Sequence, residues 1–108
     1  MKLGIILQSN NPEHVWNALR LGITALKAKH SVQIFLFNEG VEIGDIPDTE
    51  HYDISKKLDE FKSEQGTVLA CGTCLKSRSK SEDAYCPVST MADLLRMVEE
   101  SDKVLVIS

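Results

Sequence analysis

Positive charge is in short supply in this chain. Its 12 lysines and arginines stand against 16 aspartates and glutamates, a formal net charge of -4. A nucleic-acid binder normally carries a basic patch or stripe, so direct nucleic-acid binding is set aside. Long apolar runs are missing too, and none approaches the roughly 18 residues of a membrane span. The opening Met1-Lys2-Leu3-Gly4-Ile5-Ile6-Leu7 is apolar but short, and no small-residue cleavage site precedes Gln8-Ser9-Asn10-Asn11. It reads as a first strand, not a signal peptide. Cysteines are few and odd in number, at 3. That suits a disulfide framework poorly and suits reactive or metal-binding thiols in a reducing compartment well, so a cytoplasmic location is expected. No repeat, linker or low-complexity stretch interrupts the chain. With 43% hydrophobic and 26% charged residues over 108 positions, the expectation is one globular domain spanning residues 1–108, long enough to bury a real core.

Hydrophobic periodicity divides that chain into alternating strands and helices. Leu3 to Leu7 is a continuous apolar run, as in a strand covered on both faces. Asn10-Asn11-Pro12-Glu13 offers a capping Asn and a proline suited to the first helical position. Val15, Leu19, Ile23 and Leu26 then recur at helical spacing, with Trp16 and Ala25 alongside, and predict a helix over 12–29. Val32 to Phe37 is β-branched and aromatic, as in a second strand. Asn38 to Tyr52, with two glycines, a proline and many acids, reads as a loop. Asp53 is a plausible cap for a helix facing Ile54, Leu58 and Phe61 inward, and Gly66 ends it before a third strand at Thr67 to Ala70.

The last third is less regular. A short helix is expected over Cys74 to Arg78, a solvated turn over Ser79 to Asp83, and a brief strand at Ala84-Tyr85-Cys86 that Pro87 stops. Ser89 or Thr90 caps an amphipathic helix with Met91, Leu94, Leu95 and Val98 on one face, and Lys103 to Ile107 is the closing strand. Strands separated by helical segments imply right-handed crossovers. The expected fold is α/β: a single doubly wound, mostly parallel sheet of four to five strands with helices on both faces.

Cys71-Gly72-Thr73-Cys74 carries the chemistry. In open α/β sheets the functional crevice lies outside the carboxyl ends of the strands, where Cys71 falls. A thiol at the start of a helix is favoured as thiolate by unpaired N–H groups and the helix dipole. Lys76, Arg78 and Lys80 follow, with no acid between residues 71 and 81. Gly72 leaves room for a substrate to approach the sulfur. The plain alternative is a small buried cysteine at a strand end. Thioredoxin-like exchange is a rival, because C-x-x-C after a strand is its signature, although that motif usually comes early in its domain and this one comes late. Zinc on Cys71, Cys74, Cys86 and a histidine is another, although no second knuckle is present and His14, His30 and His51 follow no ligand pattern. Cys86 is either a core residue or a neighbour of the site. Asn10 and Asn11 either line the crevice or cap the first helix, and the acidic stretch Glu39 to Glu50 reads as a solvated loop in preference to a docking surface.

The run Gly66-Thr67-Val68-Leu69-Ala70-Cys71-Gly72-Thr73-Cys74-Leu75-Lys76-Ser77-Arg78 resembles the DsrE/DsrF-like family of sulfur-relay proteins. Phe37-Asn38-Glu39-Gly40-Val41, Met91 to Leu95 and Asp102 to Leu105 support the resemblance, which extends over essentially the whole chain. It implies a sulfurtransferase-type persulfide carrier. Cys71 would accept a sulfane sulfur from a donor protein and pass it to an acceptor thiol, with no cofactor and no resident metal. It also implies assembly as a homo-oligomer, a trimer or hexamer, or as a hetero-hexamer. Ser79 replaces a glycine common in the family, and Cys74 adds a second thiol that simpler members lack.

On this reading Cys71 and Cys74 are the catalytic pair, and Gly72, Thr73, Lys76 and Arg78 surround the substrate. The Cys71 thiolate attacks a donor persulfide, and Cys74, one helical turn on, is placed to resolve it by forming a disulfide and releasing sulfide. Two alternatives stay open: a thiol-disulfide redox protein using the same pair, and a non-catalytic subunit that assembles a sulfur-transfer complex.

Overall fold

The computed structural model describes residues 1–78 and 88–108. In chain order the elements are β1 (Lys2–Leu7), α1 (Pro12–Lys27), β2 (Ser31–Leu36), a 3-10 helix (Asn38–Asp45), α2 (Ile54–Ser63), β3 (Thr67–Cys71), α3 (Gly72–Ser77), β4 (Val88–Ser89), α4 (Met91–Glu100) and β5 (Lys103–Ile107). The strands form one sheet in the order β4-β3-β2-β1-β5, and every pairing is parallel. Successive strands step outward from β1 to β4, and the chain then returns through α4 to the far side of β1. The expected doubly wound sheet is present, with five strands and helices on both faces.

Alternation along the strands assigns the two faces. Leu3, Ile5 and Leu7 are in register with Val32, Ile34 and Leu36 and lie under α1 and α2. A Cβ on Gly22 of α1 would sit 2.7 Å from the Phe61 ring of α2 and 3.6 Å from Val32. On the opposite face, a Cβ on Gly4 would sit 2.8 Å from Ser101 Oγ and 3.1 Å from Met97, which puts α4 there. Phe35 and Phe61, both at 0% exposure, anchor one layer each. Burying an aromatic or branched side chain of this size stabilises by about 1.5–3 kcal/mol.

Local signals start the helices where the sequence suggests. Asn11 Oδ1 accepts from the N–H groups of Glu13 and His14 at 2.9 and 3.3 Å, and Pro12 takes the first helical turn. Asp53 caps α2 through the N–H of Lys56 at 3.2 Å, with Ile54, Leu58 and Phe61 buried as expected. Thr90 and Asp93 form a reciprocal capping box at the start of α4.

Three expectations need correction. Asn38 to Tyr52 is not all loop: its first half is the 3-10 helix, because Val41 and Ile43 supply apolar anchors exposed by only 0% and 2%. α4 buries Leu94 and Met97, whereas Met91, Leu95 and Val98 are exposed; Met97 packs over Gly4 of β1, and one edge of the apolar stripe is left uncovered. The short helix after β3 starts at Gly72, earlier than Cys74. The turn at Ser79 to Asp83 and the strand at Ala84 to Cys86 fall outside the described residues, as do Lys80 and Cys86.

Candidate functional site

The carboxyl ends of β1, β2 and β3 bring three segments together: Gln8 to Asn11, the start of the 3-10 helix, and α3. Cys71 is both the last residue of β3 and the cap residue of α3, with extended backbone at φ -64° and ψ 117°. Its side chain makes no capping hydrogen bond and is 3% exposed. Cys74 lies three positions on and is half-buried against the core. Both thiols are free.

Asn38 fixes the second thiol. Its backbone N–H donates to Cys74 Sγ at 3.2 Å. That aim depends on a left-handed backbone, φ 53°, which asparagine tolerates better than most residues. The Asn38 side chain is tied in turn, donating from Nδ2 to Gln8 Oε1 at 2.7 Å. The approach of the 3-10 helix to β1 needs Gly40, because a Cβ there would overlap the Leu7 carbonyl oxygen.

Arg78 joins the same group. Its Nη1 donates to the Cys74 carbonyl at 3.3 Å, and its Nε donates to Glu42 Oε2 at 2.6 Å. Glu42 also accepts from Asn10 Nδ2 at 3.3 Å. The absence of acids along residues 71 to 81 therefore does not leave Arg78 unpaired: the 3-10 helix brings Glu42 to it from a distant part of the sequence. Burial first, and then the hydrogen-bonding Cys71 thiol beside it, push the Cys74 thiol above its ordinary value. The Asn38 N–H and the Arg78 charge act in the opposite direction.

The structure thus gathers Cys71, Gly72, Cys74 and Arg78. Thr73 and Lys76 are exposed on α3. Gly72 turns its bare side toward β4, where a Cβ would sit 3.0 Å from Val88 Cγ1. Asn11 serves as a helix cap, and Asn10 reaches the site through Glu42. Asn38, Glu42 and Gln8 were not identified as site residues. Asn38 and the glycine of Asn38-Glu39-Gly40 were the available signal, since both residue types mark unusual backbone. Among the described residues no three His, Cys, Asp or Glu side chains cluster as a metal ion would require. A cavity of about 500 Å³, lined by Lys2, Ser31, Thr67 and their neighbours, lies at the amino ends of the strands, away from both cysteines.

Comparison with known proteins bears on the family and the fold. The model of the DsrE/DsrF-like family matches residues 1–107. The chain is 36% identical over 99 residues to protein MK0008 of Methanopyrus kandleri, covering 86% of this chain and 81% of that protein. It is 35% identical over 99 residues to protein MJ0989 of Methanocaldococcus jannaschii, covering 86% of each. Among solved structures, YchN from E. coli superposes with a TM-score of 0.83 at 24% identity, covering 99% of this chain and 100% of that one. BT1422 from Bacteroides thetaiotaomicron superposes with a TM-score of 0.78 at 17% identity, covering 98% and 94%. These two likenesses are of fold. No described helix is long and apolar enough to cross a membrane. With a family match that runs from β1 to the end of β5, this chain belongs to the DsrE/DsrF-like family, a sulfur-relay-related family.

Proposed function

We propose that this protein is a sulfurtransferase of the carrier type, holding sulfane sulfur as a persulfide on Cys71 and delivering it to a partner thiol. The observation that carries this reading is the pair of free thiols at the carboxyl end of β3, Cys71 capping α3 and Cys74 one turn beyond. In loading, the Cys71 thiolate attacks the outer sulfur of a donor persulfide. A new S–S bond forms, the donor S–S bond breaks, and the donor leaves as a thiolate with the electron pair. Delivery reverses the roles, with Cys71 as the leaving thiolate. No net oxidation occurs in either step, so no cofactor is required. Gly72 and Thr73 follow the reacting sulfur along the chain, and Lys76 on α3 and Arg78 at its C-terminal cap place positive charge near it.

The partners on this reading are donor and acceptor proteins in the cytoplasm, where thiols stay reduced. Self-association is supported by exposed apolar residues on one side of the fold: Met91 and Leu95 at 58%, Val98 at 41% and Val106 at 57% exposure. An uncovered cluster of this kind suits an interface between copies.

Intact mass after incubation with glutathione persulfide tests the carrier role. One added sulfur is expected in the wild type and in Cys86→Ser, and none in Cys71→Ser. Labelling that ignores Cys71→Ser rejects the assignment. A second reading, dithiol-disulfide exchange, is favoured by two free thiols at the cap and third positions of one helix. It would appear instead as loss of two hydrogens on mild oxidation, reversed by a dithiol reductant.

A further inference from the structure

We propose that Cys74 keeps its proton during transfer and donates its S–H to the Cys71 sulfur, and that Asn38 is the residue positioning it to do so. The proposal rests on the carrier reading above and assigns the second thiol a distinct task.

Geometry supplies the argument. Cys71 and Cys74 occupy the cap and third positions of α3, which lie one helical turn apart at the same end of the helix. The Asn38 N–H occupies one side of Cys74 Sγ, at 3.2 Å. A sulfur accepting there directs its own S–H elsewhere, and Cys71, one helical turn back at the cap position, is the neighbouring thiol. Cys71 caps no backbone N–H, so its sulfur is open to a donor. The α3 turn that carries Cys74 is clamped from outside by Arg78 Nη1 and by Ser77 Oγ, both donating to the Cys74 carbonyl, at 3.3 and 3.0 Å.

The chemistry gives that donor something to do. Cys71 is 3% exposed, so bulk water cannot solvate the thiolate that forms when the persulfide is delivered, and a buried anion needs a fixed donor. The acceptor thiolate attacks the outer sulfur of Cys71-S-SH, and the S–S bond breaks with its electron pair going to Cys71 Sγ. The Cys74 S–H then hydrogen-bonds to that new thiolate. The proton stays between the two cysteines and no electrons leave the system. Burial and the Cys71 contact hold the Cys74 thiol above its ordinary value, as a retained proton requires.

Site-resolved alkylation of Cys71 by iodoacetamide across neutral and alkaline pH tests this on the full-length chain. It is paired with single-turnover transfer from glutathione persulfide, through Cys71, to free cysteine. Cys74→Ala is expected to move the Cys71 alkylation profile to the alkaline side and to slow delivery about tenfold, the effect of one charge-assisted hydrogen bond. Cys74→Ser, which keeps a donor, recovers part of the loss. Asn38→Val, whose branched side chain resists the left-handed backbone, moves the profile in the same direction as Cys74→Ala. Asn38→Gly, which accepts that backbone and keeps the N–H, restores it. Profiles and delivery rates unchanged in Cys74→Ala overturn the proposal, as does a Cys74→Ala variant that takes up no sulfur at all, which would make Cys74 the carrier. If wild-type Cys71 takes up no sulfur, the carrier reading fails, while the alkylation profiles still decide the role of Cys74.

Discussion

Arg78 and Glu42 meet through Nε and Oε2 at 2.6 Å, linking the helix after β3 to the helix after β2. Each side chain is less than one-third exposed, at 28% and 30%, so solvent screens the pair only in part. Through this contact an acid from the second crossover sets how much positive charge reaches the thiols.

Glu42→Gln is expected to leave Arg78 without its counter-charge and so to strengthen its pull on Cys74. Alkylation of Cys74 near neutral pH should rise by a few-fold. Stability should change by less than about 1 kcal/mol, since a partly exposed ion pair contributes little. A rate equal to wild type would show that Arg78 does not act on the thiol.

Gly40→Ala should be among the most damaging single changes in the chain. The new methyl would overlap the Leu7 carbonyl, a backbone atom held in a strand paired on both sides, so the 3-10 helix must move. Overpacking of this kind costs about 3 kcal/mol. Urea denaturation measures it, and Asn38 and Glu42 should lose their places with the helix.

Acid should weaken the fold through three carboxylates. Asp93 is held below its ordinary value first by the Thr90 backbone N–H, Asp48 by that of Ser55, and Glu60 by the Lys27 side chain. A lowered folded-state value means the charged form is the stabilised one. This contribution is therefore complete above about pH 5 and is lost as pH falls through the folded values below about pH 4. Denaturant midpoints should be flat near neutrality and fall in acid, with a shallower fall in Asp93→Asn. At neutral pH, Thr90→Ala should cost about 1 kcal/mol, the usual effect of losing a cap.

Leu95→Lys should separate the copies if α4 lies at the proposed interface. Sedimentation is expected to show a smaller species than wild type, with unchanged circular dichroism because Leu95 is exposed, not buried. An unchanged oligomer would move the interface elsewhere.

Much of the fold could be read from local patterns. Val15, Leu19 and Ile23 at helical spacing, the apolar runs at Leu3 to Leu7 and Val32 to Leu36, and the caps at Asn11, Asp53 and Thr90 each act within a few residues of themselves. α4 was legible as a helix, but which part of its apolar stripe is covered was not. Burial of Leu94 and Met97 with Leu95 and Val98 left exposed depends on how the helix is rotated on the sheet, where Met97 meets Gly4 of β1, and no local pattern encodes that. The 3-10 helix was hidden because Val41 and Ile43 are too few and too close together to show a helical period.

The Cys-x-x-Cys spacing, its position after a strand and the family resemblance belong to the sequence alone, because each depends only on neighbours along the chain. The rest of the site belongs to the tertiary structure. Asn38 reaches Cys74, Glu42 reaches Arg78 and Gln8 reaches Asn38 only because parallel strands place the ends of β1, β2 and β3 side by side. Contacts across a parallel sheet join residues separated by whole crossovers, so their chemistry exists only once the crossovers have packed.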